Sequence, residues 1–107
     1  MYQYKAKVLN IVDGDTIDVT IDLGLSIYSN QRIRLYGIDT PERGQSGFKE
    51  ATDRLRSLIE GKEVIIRTQK VSKYGQYLGE IVVGDIDVNK TMVTEGYAKE
   101  YFGGTKG

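Results

Sequence analysis

The chain has 107 residues, with fifteen basic and fifteen acidic side chains in balance, 28% charged and 39% apolar residues, and neither histidine nor cysteine. That composition fits one soluble domain with one modest core. It excludes disulfides and thiolate metal sites, makes zinc improbable for want of N and S ligands, and gives no global positive field for a polyanion. No apolar run approaches the ~20 residues of a membrane span.

Residues 2–12 read as a strand ending in the apolar run Val8-Leu9-Asn10-Ile11-Val12. Asp13-Gly14 is a turn signal. A clean alternation follows, with Ile17, Val19, Ile21 and Leu23 on one face and Thr16, Asp18, Thr20 and Asp22 on the other, the pattern of a half-buried strand. Residues 24–30 read as a loop. Ile33 and Leu35 then alternate with Arg32, Arg34 and Tyr36, a third strand with a basic outer row. Pro41, Gly44 and Gly47 mark a loop, and Phe48, Ala51, Leu55, Leu58 and Ile59 recur at helical spacing between about Ser46 and Glu60, with Gly61 as the stop. Strands over 63–68 and 77–83 flank a polar loop, 70–76. Asp87 can cap a short helix bearing Val88, Met92 and Val93 and closed by Gly96, and residues 103–107 read as a flexible tail.

The expected architecture is therefore α+β and mainly β, a single domain over 1–107. Five strands with a helix between the third and fourth suggest a small Greek-key barrel of the OB-fold layout.

The chemistry concentrates in Asp13-Gly14-Asp15-Thr16 and in the segment 32–42, RIRLYGIDTPE. A chain without histidine or cysteine must work with carboxylates, arginines and a hard metal ion. Asp15 and Asp39 are oxygen donors of the kind calcium and magnesium take. Asp15 shares parity with Ile17 and Val19, which turns it toward the barrel side. Arg34 can present a bidentate fork to phosphate. Glu42, just past the bend at Pro41, can act on a water as base or orienter. Plainer readings compete: Asp13 as a turn residue, Arg34 as a surface partner of Asp39 or Glu42, and most of the eight tyrosines as core-edge residues.

These motifs, with GFKEA (47–51), KYG (73–75) and DVNKTMVTEGYA (87–98), resemble the staphylococcal nuclease (thermonuclease) family over about residues 5–102. The resemblance implies a calcium-dependent endonuclease, a hydrolase of phosphodiester bonds in single-stranded or locally open DNA or RNA, with one Ca2+ ion as cofactor. By position it implies Asp15 and Asp39 as calcium carboxylates and Thr40 as donor of a backbone carbonyl. It implies Arg34 as one of two phosphate-gripping arginines and Glu42 as the residue acting on the attacking water. Lys73, Tyr74 and the Tyr101/Phe102 pair fall near positions that contact phosphate and base. Three departures stand out. Gln76 occupies the place of the second arginine, the loop 43–46 is shorter than in the nuclease that names the family, and the sequence reaches Gly107 without the final helix of that nuclease. A neutral donor in place of a charged one predicts weak turnover unless Arg43, Arg67 or Lys73 substitutes. The alternative is a non-catalytic OB-fold module that binds nucleic acid or protein. The opening residues carry no basic stretch followed by an apolar one, which favours the cytoplasm, and a monomer is expected.

Overall fold

The computed structural model describes residues 2–69 and 77–101. Its first strand shows how an irregular sequence pattern becomes a regular barrel. In β1 (Gln3–Asp13), Ala6 and Val8 face the core, and then Ile11 does, a change of parity. The pairing with β2 (Thr16–Asp22) accounts for it. Val8 opposes Val19 and Asn10 opposes Asp18, so Leu9 is the extra residue of a bulge, and a second irregularity falls between Ile11 and Asp13. Leu9 is 52% exposed, so the apolar run Val8–Val12 does not pass whole into the core.

β2 continues into β3 (Tyr28–Leu35) through a tight turn. Leu23 N–H donates to Ile27 O and Ile27 N–H to Gly24 O, with positive φ at Gly24, Leu25 and Ser26. The expected loop over 24–30 is thus shorter, because pairing with β2 persists to Asp22 opposite Tyr28. The inner positions Ser29 and Gln31 are polar and gave no alternation to read. Leu23, assigned by periodicity to the inner face, lies beyond the strand end and is 48% exposed.

β4 (Ile38–Asp39) follows, then α1 (Phe48–Ile59), β5 (Glu63–Thr68), β6 (Tyr77–Val83), β7 (Ile86–Asp87), α2 (Val88–Thr94) and β8 (Lys99–Glu100). The main sheet runs β3-β2-β1-β5-β6-β7, and a parallel pairing of β3 with β6 closes it. Five strands therefore form a closed mixed barrel with two helices, the α+β OB-fold arrangement expected from sequence. The two-residue strands β4, β7 and β8 were not anticipated, being too short to carry a period. α1 begins at Phe48 rather than Ser46, on Gly47 in the left-handed region. It buries Ala51, Leu55, Leu58 and Ile59 as its spacing predicts. α2 starts where Asp87 accepts from Lys90 N–H at 3.1 Å.

One buried amide holds the barrel's closure. Asn89 on α2 donates from Nδ2 to Tyr36 O (2.8 Å) and Gly79 O (3.1 Å), and its Oδ1 accepts from Ile81 N–H (3.0 Å). It ties α2 to β6 and to the corner from which β4 departs. Among the described residues no helix is long and apolar enough to cross a membrane.

Candidate functional site

The β1–β2 turn is built by Asp13, whose Oδ1 accepts from Asp15 N–H at 3.1 Å. Gly14 is needed there for space. It is not among the glycines with positive φ, but a Cβ on it would lie 2.9 Å from both Ala51 Cβ and Thr40 Oγ1. The missing side chain lets the turn settle onto the start of α1 and the 39–42 segment. Gly14→Ala is expected to cost about 1–3 kcal/mol by overpacking, read as a lower urea midpoint with an unchanged m-value.

Asp15 emerges from this turn 7% exposed. Its Oδ2 accepts from Thr40 N–H (3.1 Å) and Arg34 Nη2 (3.3 Å), and its Oδ1 from the Thr16 hydroxyl (3.0 Å). Its backbone carbonyl accepts from Leu35 N–H at 2.7 Å, locking the turn to β3. Arg34 donates from Nη1 to Ile38 O (3.0 Å) and Leu35 O (3.3 Å), while Nη2 also reaches Asp39 Oδ1 at 3.2 Å. One guanidinium nitrogen therefore sits between the two carboxylates. The Tyr101 ring lies beside it, 6.0 Å from Arg34 Cζ to the centroid, and Tyr101 N–H donates to Gly37 O. β8 positions this tyrosine by pairing with β4, Asp39 opposite Lys99.

Glu42 lies exposed in the loop that follows. Its backbone is fixed from both sides, N–H to Gln45 Oε1 (2.7 Å) and O from Gln45 N–H (2.8 Å). Arg43 stacks over Phe48, its Cζ 5.2 Å from the ring centroid. Arg67 stands in β5 between Gln3 and Glu80, and among the described residues no hydrogen bond or ion pair joins it to the Asp15–Arg34–Asp39 cluster. Lys73, Tyr74, Gln76 and Phe102 lie outside the described residues. Thr16, Gly14 and Asn89 escaped the sequence reading as supports of the site. Thr16 was assigned only to the outer strand face, and nothing local distinguishes Asn89 from a surface helix residue.

Asp13 carries a strong titration effect. Burial, with the Asp15 carboxylate beside it, raises its pKa from the ordinary 3.8 to about 6. The native state then holds a proton the unfolded chain has released, so this group costs stability as pH rises from about 4 through 6. Asp13→Asn keeps an acceptor for Asp15 N–H. In ion-free buffer it is expected to exceed the parent in thermal stability at neutral pH, the gap closing below pH about 4.

Among the described residues no group of three or more acidic, histidine or cysteine side chains could hold a metal. An ion at this place would have two carboxylates, with carbonyls and water completing its shell, a set that suits a hard cation. The fit is supported by the guanidinium nitrogen, a cationic group already shared by Asp15 and Asp39, and by the Thr40 hydroxyl, buried without a partner beside them.

The family model described as "Staphylococcal nuclease homologue" matches residues 32–106. The chain belongs to the staphylococcal nuclease homologue family. This family member is 38% identical over 96 residues to an "Uncharacterized endonuclease" of Escherichia coli O157:H7, covering 89% of the chain and 60% of that relative. It is 35% identical over 107 residues to a "Micrococcal nuclease" of Shigella flexneri, covering 92% and 59%. With "Staphylococcal-like nuclease CAN1" of Arabidopsis thaliana it shares 37% identity over 70 residues, 65% of the chain and 22% of that protein. The chain thus spans about 60% of the length of these two bacterial relatives.

Proposed function

We propose that this chain is the catalytic domain of a calcium-dependent endonuclease that hydrolyses phosphodiester bonds in single-stranded or locally open DNA or RNA. The observation that carries the reading is the placement of Arg34 Nη2 within 3.3 Å of Asp15 Oδ2 and 3.2 Å of Asp39 Oδ1. Two carboxylates and a phosphate-shaped fork meet at one point, and Glu42 lies exposed three residues along the chain from Asp39. The family relationship supports the same reaction class.

In this reading Asp15, Asp39 and the Thr40 carbonyl hold a calcium ion, which when bound supplies charge neutralisation at the phosphoryl oxygens. Arg34 grips the phosphate through its planar fork. Glu42 orients a water and takes its proton as the water oxygen bonds to phosphorus. The P–O bond to the leaving sugar oxygen breaks, and that oxygen takes a proton from solvent. Tyr101, Lys73, Tyr74 and Gln76 contact the nucleotide. Gln76 supplies a neutral donor where the family has a second arginine, so turnover is slow. The chain acts as a monomer.

The test is cleavage of single-stranded DNA and RNA with Ca2+, Mg2+ or EDTA. Cleavage is expected with Ca2+ and not with EDTA, and Glu42→Gln is expected to lower it about 10²-fold or more, within the range for general-base removal. Gln76 also favours a second reading, a binding module without turnover. Absence of cleavage at high protein concentration, with salt-sensitive oligonucleotide binding retained, would establish that reading and overturn the first.

A further inference from the structure

The position of Arg34 carries a consequence beyond phosphate grip. We propose that Arg34 is the resident counter-ion of the Asp15–Asp39 pair and competes with a divalent cation for their oxygens, so that it sets the affinity of the ion site. The proposal rests on reading Asp15 and Asp39 as the ion's carboxylates.

Nη2 takes Asp15 Oδ2 and Asp39 Oδ1 together, the two oxygens an ion would need. Oδ2 of Asp15 already accepts from Thr40 N–H as well. An ion there must take over lone pairs that the guanidinium holds. The Asp15 side chain, 10% exposed, requires a positive partner, since an unpaired buried charge is costly, and Arg34 supplies one in the ion-free protein. Its side chain is itself only 19% exposed, so water screens the contact weakly.

The geometry also permits exchange without unfolding the site. Nη1 is anchored on the Ile38 and Leu35 carbonyls, which no ion at the carboxylates displaces. The Tyr101 ring flanks the same guanidinium. Asp15 is held independently by Thr40 N–H and the Thr16 hydroxyl, so it stays in place when Nη2 leaves. Arg32 gives the internal control. It sits two residues away on the same strand, carries the same charge, and spends its fork on Asp18 at 2.8 and 3.2 Å.

The experiment is calorimetric titration of Ca2+ into the ion-free chain, with no nucleic acid present, for the parent, Arg34→Met and Arg32→Met. Arg34→Met is expected to bind Ca2+ about ten-fold more tightly or better, and Arg32→Met within about two-fold of the parent. On the parent, Ca2+ is expected to shift the Arg34 side-chain Nε–H NMR signal and leave that of Arg32 in place. This measurement decides the matter should Arg34→Met fail to fold. Equal Ca2+ affinity in the parent and Arg34→Met, or an Arg34 signal unmoved on Ca2+ binding, overturns the competition and leaves the ion site standing. Absence of Ca2+ binding to both overturns the ion site and the proposal together.

Discussion

Asp15→Asn is expected to lower the rate of Ca2+-dependent DNA cleavage by about 10²–10³-fold while the barrel stays folded. The backbone bond from Leu35 N–H to Asp15 O does not depend on the side chain, and an asparagine oxygen can still accept from Thr40 N–H. What disappears is one of the two negative charges that converge on Arg34 Nη2. Stability should fall by about 1.5–3 kcal/mol, the range for a charged hydrogen bond. Circular dichroism and a urea melt separate this small loss from the large kinetic one. A folded Asp15→Asn that retains more than a tenth of the parent rate would place the ion elsewhere.

Asn89→Ala is expected to produce the largest stability loss of any side chain outside the apolar core, about 3 kcal/mol. Its amide satisfies the carbonyls of Tyr36 and Gly79 and the N–H of Ile81, and Asn89 is only 5% exposed. Truncation leaves Ile81 N–H without its side-chain acceptor and takes one donor each from Tyr36 O and from Gly79 O, which keeps Tyr36 N–H at 2.8 Å, in a place water does not reach, each unsatisfied group costing about 1–3 kcal/mol before relaxation. For a domain of this size that corresponds to a drop in Tm of roughly 12–24 °C. Parent-like Tm in Asn89→Ala would mean that α2 does not fasten the barrel's closure.

The barrel was legible because its core positions obey simple periods. Ile17, Val19 and Ile21 alternate, Ala51, Leu55, Leu58 and Ile59 keep helical spacing, and all are buried. The reading failed where tertiary pairing overrides local pattern. Tyr28–Gln31 form a strand because β2 pairs with them, despite polar inner positions. The Leu9 bulge shifts the parity of β1, a shift visible only against its partner.

Of the site, the acidic and arginine positions were legible as types and spacing. Their convergence was not, because Asp15 and Arg34 meet through the register that sets Thr16 opposite Arg34. Gly14 read as a turn former, whereas its role is to admit Ala51 and Thr40 at close range. Asn89 gave no local signal, since its three partners are backbone groups of other elements: Gly79 and Ile81 of β6 and Tyr36 beyond β3.

The central claim is that Asp15, Asp39 and Arg34 form one site for an ion and a phosphate. Crystals grown with Ca2+ and thymidine 5′-phosphate test it most directly, through the anomalous signal of calcium. The predicted result is a single peak within ligand distance, about 2.3–2.6 Å, of Asp15 Oδ2 and Asp39 Oδ1, with the phosphate on the Arg34 fork. A peak elsewhere, or phosphate bound with Arg34 still seated between the two carboxylates, would contradict it.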